Sequence, residues 1–322
     1  MSAGPADIAT MVGSVGLPNP IMTAAGTSGH GTELADYGDL SVLGAVVVKS
    51  LSVRPWSGNP APRVHEVGTG MLNSVGLQGP GLEAWLERDL PALTAAKARV
   101  VVSIWGQSVD DYAQAAALLA QAAKGASEAP GAQSGSAMVA VEVNVSCPNV
   151  EDRSRMFAHS ESATRDVLAA TECGLPRWAK LSPNVPDIAA IAGAALDGGA
   201  EGLTLTNTLL GLALNVETGR PVLGAGGGGL SGAVLHPVAV RAVWECRAAF
   251  PDAAIIGAGG VASGRDAVEF LRAGADAVQV GTAIFRDPRA PWKVLRQLTR
   301  WCAARGTSVG ALRELARAGR TA

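Results

Sequence analysis

The sequence predicts an α/β protein, a (β/α)8 TIM barrel with inserted loops over the C-terminal mouth of the barrel. Short runs of β-branched residues alternate with alanine-rich helical stretches along most of the 322 residues. Several of these runs are apolar throughout, which is typical of parallel strands covered on both faces. Eight such runs with intervening helices fit the roughly 250 residues of a barrel better than the alternative, a doubly wound open sheet.

The predicted elements follow in chain order. Strands are predicted at short apolar runs such as VVV and AAII, at residues 21–24, 45–49, 100–104, 138–144, 178–181, 202–207, 253–257 and 277–280. Helices are predicted where longer alanine-rich stretches with helical spacing separate these runs, at residues 110–124, 160–171, 187–196, 237–250 and 263–273.

Two segments are too long and too rich in glycine and proline to be simple connections. Residues 50–89 and 208–236 both follow strands, so we expect both to lie over the C-terminal mouth, where barrel enzymes perform their chemistry. Residues 125–137 (GASEAPGAQSGSA) precede a strand and are predicted to form a flexible loop on the opposite face. No internal repeat is evident, and residues 1–322 are predicted to form a single domain.

Composition excludes several classes of protein. Hydrophobic residues make up 48% of the chain and charged residues 17%, which supplies a core and argues against disorder. The 26 basic and 28 acidic residues give a net charge of −2, so no nucleic-acid partner is expected. The sequence shows neither an apolar run of about 18 residues nor a secretory signal, which predicts a cytoplasmic protein without a membrane span. The four cysteines are widely spaced, which predicts no metal site and no iron–sulfur cluster in this chain.

Two glycine-rich strand ends predict a phosphate site. Residues 257–260 (GAGG) follow the seventh strand, and Gly281 and Thr282 follow the eighth. Glycine lets backbone N–H groups approach an anion, and the loops after strands seven and eight of a barrel often bind phosphate. We therefore expect a phosphorylated cofactor or substrate there. Two tight turns without a ligand are the alternative, and the match of GAGGVA to a dinucleotide fingerprint is weak.

Two lysines end predicted strands. Lys49 follows VVV, and Lys180 lies in WAKL, although only 5 of the 26 basic residues are lysines. At a barrel mouth, an ammonium group can neutralise the charge that develops on a flavin ring or on a substrate oxygen. The alternative is a strand-end lysine whose charged head merely reaches solvent.

Asparagines and a cysteine gather at predicted strand ends and loops. Asn144, Cys147 and Asn149 belong to VEVNVSCPNV, Asn73 lies in MLNSVGLQGPG, and Asn207 ends strand six. The amide group offers donors and acceptors without charge, which suits the edge of a cyclic amide or pyrimidine; ordinary turn chemistry is the alternative. Cys147 is a candidate general acid or base, with an inert buried thiol as the alternative.

Eight segments that run nearly end to end also carry a resemblance: NPIMTAAGTSGHG, VVKSLSVRPWSGNPAPR, GMLNSVGLQGPG, VEVNVSCPNV, WAKLSPNVPDI, LTNTLLG, GGLSG and IIGAGGVASGRDAVEFLRAGADAVQVGTA. In these segments the chain resembles the class 1 dihydroorotate dehydrogenases, most of all the 1B-like branch whose catalytic chain partners an iron–sulfur flavoprotein. The resemblance implies a (β/α)8 barrel that holds FMN and oxidises (S)-dihydroorotate to orotate in pyrimidine biosynthesis.

The resemblance also implies roles for individual residues. Cys147 would be the catalytic base that removes the C5 proton while hydride leaves C6 for the flavin. Residues that would bind the substrate lie in four segments, and the backbone at 75–77 would hold its carboxylate. These residues are Lys49, Asn73, Ser74, Val75, Gly76, Leu77, Asn144, Asn149, Asn207 and Thr208.

The implied FMN site includes the glycines that the strand ends predict independently. The phosphate would contact Gly259, Gly260, Gly281 and Thr282. The remaining cofactor residues would be Ala25, Gly26, Lys49, Ser50, Ser103, Asn144, Lys180, Thr206, Ser231 and Gly232. Three positions depart from the family pattern. Ala25 replaces a serine, so only backbone contact to the flavin is expected there, and Ser103 and Gly79 each replace a frequent asparagine.

More than one acceptor could reoxidise the reduced flavin. The resemblance implies a partner subunit with FAD and a [2Fe–2S] cluster that passes electrons to NAD, in a homodimer or heterotetramer of the catalytic chain. Direct reoxidation by fumarate or a quinone analogue is the alternative. Two other functions also stay open: an FMN-dependent oxidoreductase of another dihydropyrimidine or of uridine in tRNA, and a non-catalytic flavin-binding subunit.

Overall fold

Eight parallel strands form one sheet that curves into a barrel. The computed structural model describes residues 7–128, 137–146, 148–149 and 155–318. The barrel strands are β3 (Ile21–Thr23), β4 (Val46–Val47), β7 (Val100–Ile104), β8 (Met138–Asn144), β11 (Arg177–Leu181), β12 (Gly202–Leu205), β15 (Ala254–Ala258) and β16 (Ala277–Val280). Their order in the sheet is β3-β16-β15-β12-β11-β8-β7-β4. A parallel bridge between Met22 and Ala45 joins the two edge strands, so the (β/α)8 barrel is confirmed and the open sheet is wrong.

The helices surround this barrel. They are α1 (Leu82–Ala95), α2 (Val109–Glu128), α3 (Glu161–Ala170), α4 (Ile188–Asp197), α5 (His236–Ala249), α6 (Gly264–Ala273), α7 (Ala283–Arg286), α8 (Ala290–Ala303) and α9 (Val309–Ala318). Side-chain caps set several starts: Ser160 accepts from Ala163 N, and Ser263 and Asp266 form a capping box. No helix among the described residues is both long and apolar enough to span a membrane.

Two predicted loop segments contain helix. Helix α2 continues to Glu128, so residues 125–128 are helical and not part of a loop. In this stretch Ala126 and Glu128 favour continued helix and outweigh Gly125 and Ser127, which disfavour it. Residues 129–136 of the predicted flexible loop lie outside the described residues. Helix α1 begins at Leu82, inside the segment 50–89 that was predicted to lie over the barrel mouth.

A hairpin closes the N-terminal end of the barrel. Strands β1 (Thr10–Val12) and β2 (Val15–Leu17) are antiparallel, and Val12, Val15 and Leu17 pack with inward-facing barrel residues such as Trp178 and Ile256. Because apolar side chains fill this end, the opposite mouth is the end that remains open for a ligand.

The two inserted segments form one sheet over that open mouth. Strands β5 (Val64–Val67) and β6 (Gly70–Asn73) come from the first insert, and β13 (Leu209–Gly211) and β14 (Gly228–Gly232) come from the second. Their order is β13-β14-β6-β5, with β6 and β14 antiparallel. A short pair, β9 (Pro148–Asn149) and β10 (Arg155–Met156), follows β8.

Candidate active site

A cavity of about 570 Å³ lies at the C-terminal ends of the barrel strands, beneath the inserted sheet. Its size suits a cofactor together with a small substrate. The predicted site residues that line it are Ala25, Gly26, Lys49, Ser50, Asn73, Ser74, Val75, Gly76, Leu77, Asn144, Lys180, Thr206, Asn207, Thr208, Ser231, Gly232, Gly259, Gly260, Gly281 and Thr282. The barrel therefore brings residues as far apart in the sequence as Ala25 and Thr282 to one cavity.

Of the three remaining predicted site residues, the structure describes the side chain of one. Cys147 lies outside the described residues, and for Asn149 only the backbone, in β9, is described. Ser103 is fully buried, and its hydroxyl lies 2.8 Å from the hydroxyl of Ser50. Ser103 thus supports a cavity residue from behind instead of facing the cavity.

A chain of hydrogen bonds orients the amides on one side of the cavity. Asn144 Nδ2 donates to Ser50 Oγ at 3.4 Å, and Asn207 Nδ2 donates to Asn144 Oδ1 at 3.1 Å. The backbone N–H of Thr208 donates to Asn207 Oδ1 at 2.8 Å. Tyr112 holds the strand end from below, because its hydroxyl donates to Asn144 O at 2.7 Å. The amides are consequently fixed in position before a ligand binds.

Beneath the cavity, Lys180 belongs to a buried polar cluster. Lys180 Nζ donates to Glu142 Oε1 at 3.3 Å and to Gln279 Oε1 at 3.4 Å. Glu142 Oε2 accepts from Gln279 Nε2 at 2.6 Å and from Thr204 Oγ1 at 3.1 Å. Sequence reasoning missed Glu142 and Gln279, although a polar residue inside the apolar runs VEVN and AVQV was a usable signal.

Lys49 approaches the cavity from the second strand. A Cβ atom on Gly26, whose φ is +87°, would lie 3.7 Å from Lys49 Nζ, so the ammonium group sits over this glycine. His30 is a neighbour that the sequence did not single out. Burial, followed by the positive charge of Lys49, lowers the pKa of His30 and so favours the neutral imidazole beside Lys49.

The segment 75–77 forms a turn with left-handed backbone. Gly76 has φ +73° and Leu77 has φ +60°, and successive N–H groups in such a turn can bind an anion. Asn59 supports the turn: its N–H donates to Val75 O at 3.0 Å, and its Nδ2 donates to Ser74 Oγ at 2.8 Å. Only glycine fits at position 76, because a Cβ there would lie 2.5 Å from Asn59 N. Asn59 also lines the cavity and was not predicted as a site residue.

Glycines from three segments of the chain also line the cavity, among them Gly232, Gly260 and Gly281. Gly260 has φ +67°, and a Cβ there would lie 2.7 Å from His236 Cβ and 2.9 Å from Gly232 O. A Cβ on Gly281 would lie 3.2 Å from Ala24 Cβ. Glycine backbone without a Cβ atom lets N–H groups approach a ligand closely, as a phosphate group requires.

Comparison with known proteins gives one family and several close relatives. Residues 8–301 match the family described as dihydroorotate dehydrogenase. The dihydroorotate dehydrogenase B (NAD(+)) catalytic subunit of Geobacter sp. (strain M21) is 43% identical over 300 residues, 92% of this chain and 93% of that protein. The subunit of the same name from Citrifermentans bemidjiense is 42% identical over 297 residues, 92% and 93% of the two chains. That from Alkaliphilus metalliredigens is 43% identical over 286 residues, 88% and 90% of the two chains.

Proposed function

This chain belongs to the dihydroorotate dehydrogenase family, and we propose that it is an FMN-dependent catalytic subunit that oxidises dihydroorotate to orotate in pyrimidine biosynthesis. The observation that carries the proposal is the set of residues that line the cavity at the C-terminal mouth. Glycine backbone lines this cavity together with oriented amides and the 75–77 turn. A phosphorylated cofactor and a small carboxylate-bearing cyclic amide match these two kinds of lining.

The residues of the cavity fit FMN. Thr206 Oγ1 is buried without a hydrogen-bond partner among the described residues, and Thr206 lines the cavity, so a bound flavin would supply the missing partner. Gly259, Gly260, Gly281 and Thr282 would hold the phosphate. Lys49, Ser50 and Lys180 would contact the ring, with Ala25, Gly26, Asn144, Ser231 and Gly232 nearby.

In the proposed reaction, FMN supplies the acceptor for the hydride that leaves C6 of dihydroorotate. Cys147 takes the proton from C5, and the two electrons of that C–H bond form the new C=C bond of orotate. The 75–77 turn holds the substrate carboxylate. Asn73, Asn144, Asn149, Asn207 and Thr208 would hold the pyrimidine ring and its amide edge. The hydrogen bonds that link Asn144, Asn207 and Thr208 orient three of these residues toward the ring.

We further propose that a separate subunit carrying FAD and a [2Fe–2S] cluster passes the electrons to NAD, in a dimer or heterotetramer of the catalytic chain. The relatives bear the name of an NAD(+)-linked catalytic subunit. Cys173, Cys246 and Cys302 are each buried and free, and burial raises the pKa of the Cys246 thiol to about 12. These described cysteines are therefore unsuited to ligate a cluster at the surface of this chain.

The test is anaerobic titration of the FMN-loaded chain with dihydroorotate, followed at the visible flavin band. Bleaching at one equivalent, without reoxidation by NAD until the partner subunit is added, is the expected result. A flavin band that dihydroorotate does not bleach would contradict the proposed substrate. Rapid NAD turnover by the single chain would contradict the proposed partner.

A further inference from the structure

The acidic member of the buried cluster beneath the cavity has no role in the reaction proposed above. Glu142 is 0% exposed and Lys180 is 6% exposed, and they form an ion pair of 3.3 Å between β8 and β11. Both oxygens of Glu142 are occupied, one by Lys180 and the other by Gln279 and Thr204. Such a pair is costly to bury and brings little stability over an apolar replacement, so its place directly beneath the cavity calls for another explanation.

We propose that Glu142 is a positioning residue that acts on the bound flavin through Lys180. As the counter-ion of Lys180, it keeps the reduction potential of the flavin lower than it would be beside an unpaired lysine. The inference rests on the FMN-dependent function proposed above. A cation beside a flavin favours reduction, because two-electron reduction adds negative charge to the ring. A carboxylate behind that cation opposes the effect, and in a dry interior the opposition is strong.

The contacts of Lys180 decide the sign of the effect. Gln279 Oε1 also accepts from Lys180 Nζ, at 3.4 Å, and β11 is hydrogen-bonded between β8 and β12. Loss of the Glu142 charge therefore leaves the ammonium group in place and removes only the opposing charge. The flavin potential is expected to rise. For an acceptor such as NAD, a flavin potential that is too high would trap the electrons on this subunit, so the counter-ion serves the proposed electron transfer.

The experiment measures the reduction potential of FMN bound to the purified chain, by reductive titration against a reference dye at pH 7. Glu142→Gln removes the charge and keeps the shape. Thr204→Val is the matched control, because it removes a hydrogen bond to the same carboxylate and keeps the charge. We expect Glu142→Gln to raise the equilibrium constant for flavin reduction about tenfold or more, which is about 30 mV for a two-electron couple. Thr204→Val should stay within about threefold of the wild type.

Three results would overturn the proposal: an unchanged potential in Glu142→Gln, a lowered one, or equal shifts in both variants. If Glu142→Gln does not fold, the double variant Glu142→Gln/Lys180→Gln removes both charges, which a buried site tolerates better than one unpaired charge. The double variant is compared with Lys180→Gln, in which the Glu142 carboxylate keeps its hydrogen bonds to Thr204 and Gln279. Loss of the carboxylate should raise the equilibrium constant for flavin reduction at least threefold over that of Lys180→Gln, and equal values would show that Glu142 does not act on the flavin. Because a chemical reductant is used, this result is independent of whether dihydroorotate is the substrate.

Discussion

Replacement of Gly260 by alanine should weaken FMN binding through a clash that the structure locates. Gly260 has φ +67°, and an added Cβ would lie 2.7 Å from His236 Cβ and 2.9 Å from Gly232 O. Real Cβ contacts are not that short, so the backbone of Gly260 or Gly232 must move. Both glycines line the cavity, and the proposed phosphate site depends on where their N–H groups point.

The size of the effect can be separated into two parts. Left-handed backbone costs an alanine about 1–2 kcal/mol, and this part affects the stability of the apoprotein only. Gly174→Ala is the matched control, because Gly174 has φ +75° and a Cβ there would meet nothing within 4 Å. It lies before β11, away from the cavity. Unlike the control, Gly260→Ala displaces the glycine backbone of the proposed phosphate site, which we call the phosphate cradle. We therefore expect the FMN dissociation constant of Gly260→Ala to rise at least tenfold, which is about 1.4 kcal/mol.

The assay is titration of the apoprotein with FMN, followed by quenching of flavin fluorescence, alongside urea unfolding of both apo variants. Gly174→Ala should lose about 1–2 kcal/mol of unfolding free energy. Gly260→Ala should lose at least as much because of the added clash, and only Gly260→Ala should lose FMN affinity. Wild-type affinity in Gly260→Ala, or an equal loss in Gly174→Ala, would refute the argument that this glycine shapes the phosphate cradle.

Three further predictions concern single residues. Cys147→Ala should retain FMN and lose about 10²–10⁴-fold in turnover, and unchanged turnover in this variant would place the base elsewhere. Wild-type turnover should rise between pH 6 and 9, because a thiol with a reference pKa of about 8.5 loses its proton over that range. Burial raises the pKa of Cys246 to about 12, so iodoacetamide at pH 8 should alkylate this thiol only after unfolding, as read by peptide mass spectrometry. Arg247→Met should lower the unfolding free energy by about 3–5 kcal/mol, because Arg247 donates to the buried carboxylate of Asp276 at 2.9 Å. The measurement is urea unfolding, and a loss below about 1 kcal/mol would show that the other partners of Asp276 are enough to stabilise its charge.

Much of the barrel could be predicted because its strands are local features. All eight predicted runs overlap a barrel strand, and three of them, 100–104, 138–144 and 277–280, have the same bounds in the structure. Continuous apolar runs identify strands buried on both faces without any knowledge of their neighbours. The first barrel unit was harder, because only short 3-10 turns, at Ala35–Tyr37 and Leu40–Val42, connect β3 to β4.

The outline of the site could also be predicted, because chain order in a barrel places every strand end on one face. That rule and the family resemblance together predict that the lysines, asparagines and glycines lie around one cavity. Their individual roles stay predictions. The orientation of the side chains was not predictable: Ser103 faces Ser50 and not the cavity, and Asn59 lines the cavity from an insert whose fold the sequence did not indicate.

By itself, the sequence determined the strands, the order of the barrel units and the glycine-rich strand ends, because each depends on residues that are near neighbours in the chain. Only the tertiary structure decided which distant segments meet. Strand β6 pairs with β14 although about half the chain separates them, and Lys180 reaches Glu142 and Gln279 across 38 and 99 positions. Such contacts depend on barrel closure and on the packing of the inserts over the mouth, and local periodicity carries no information about either.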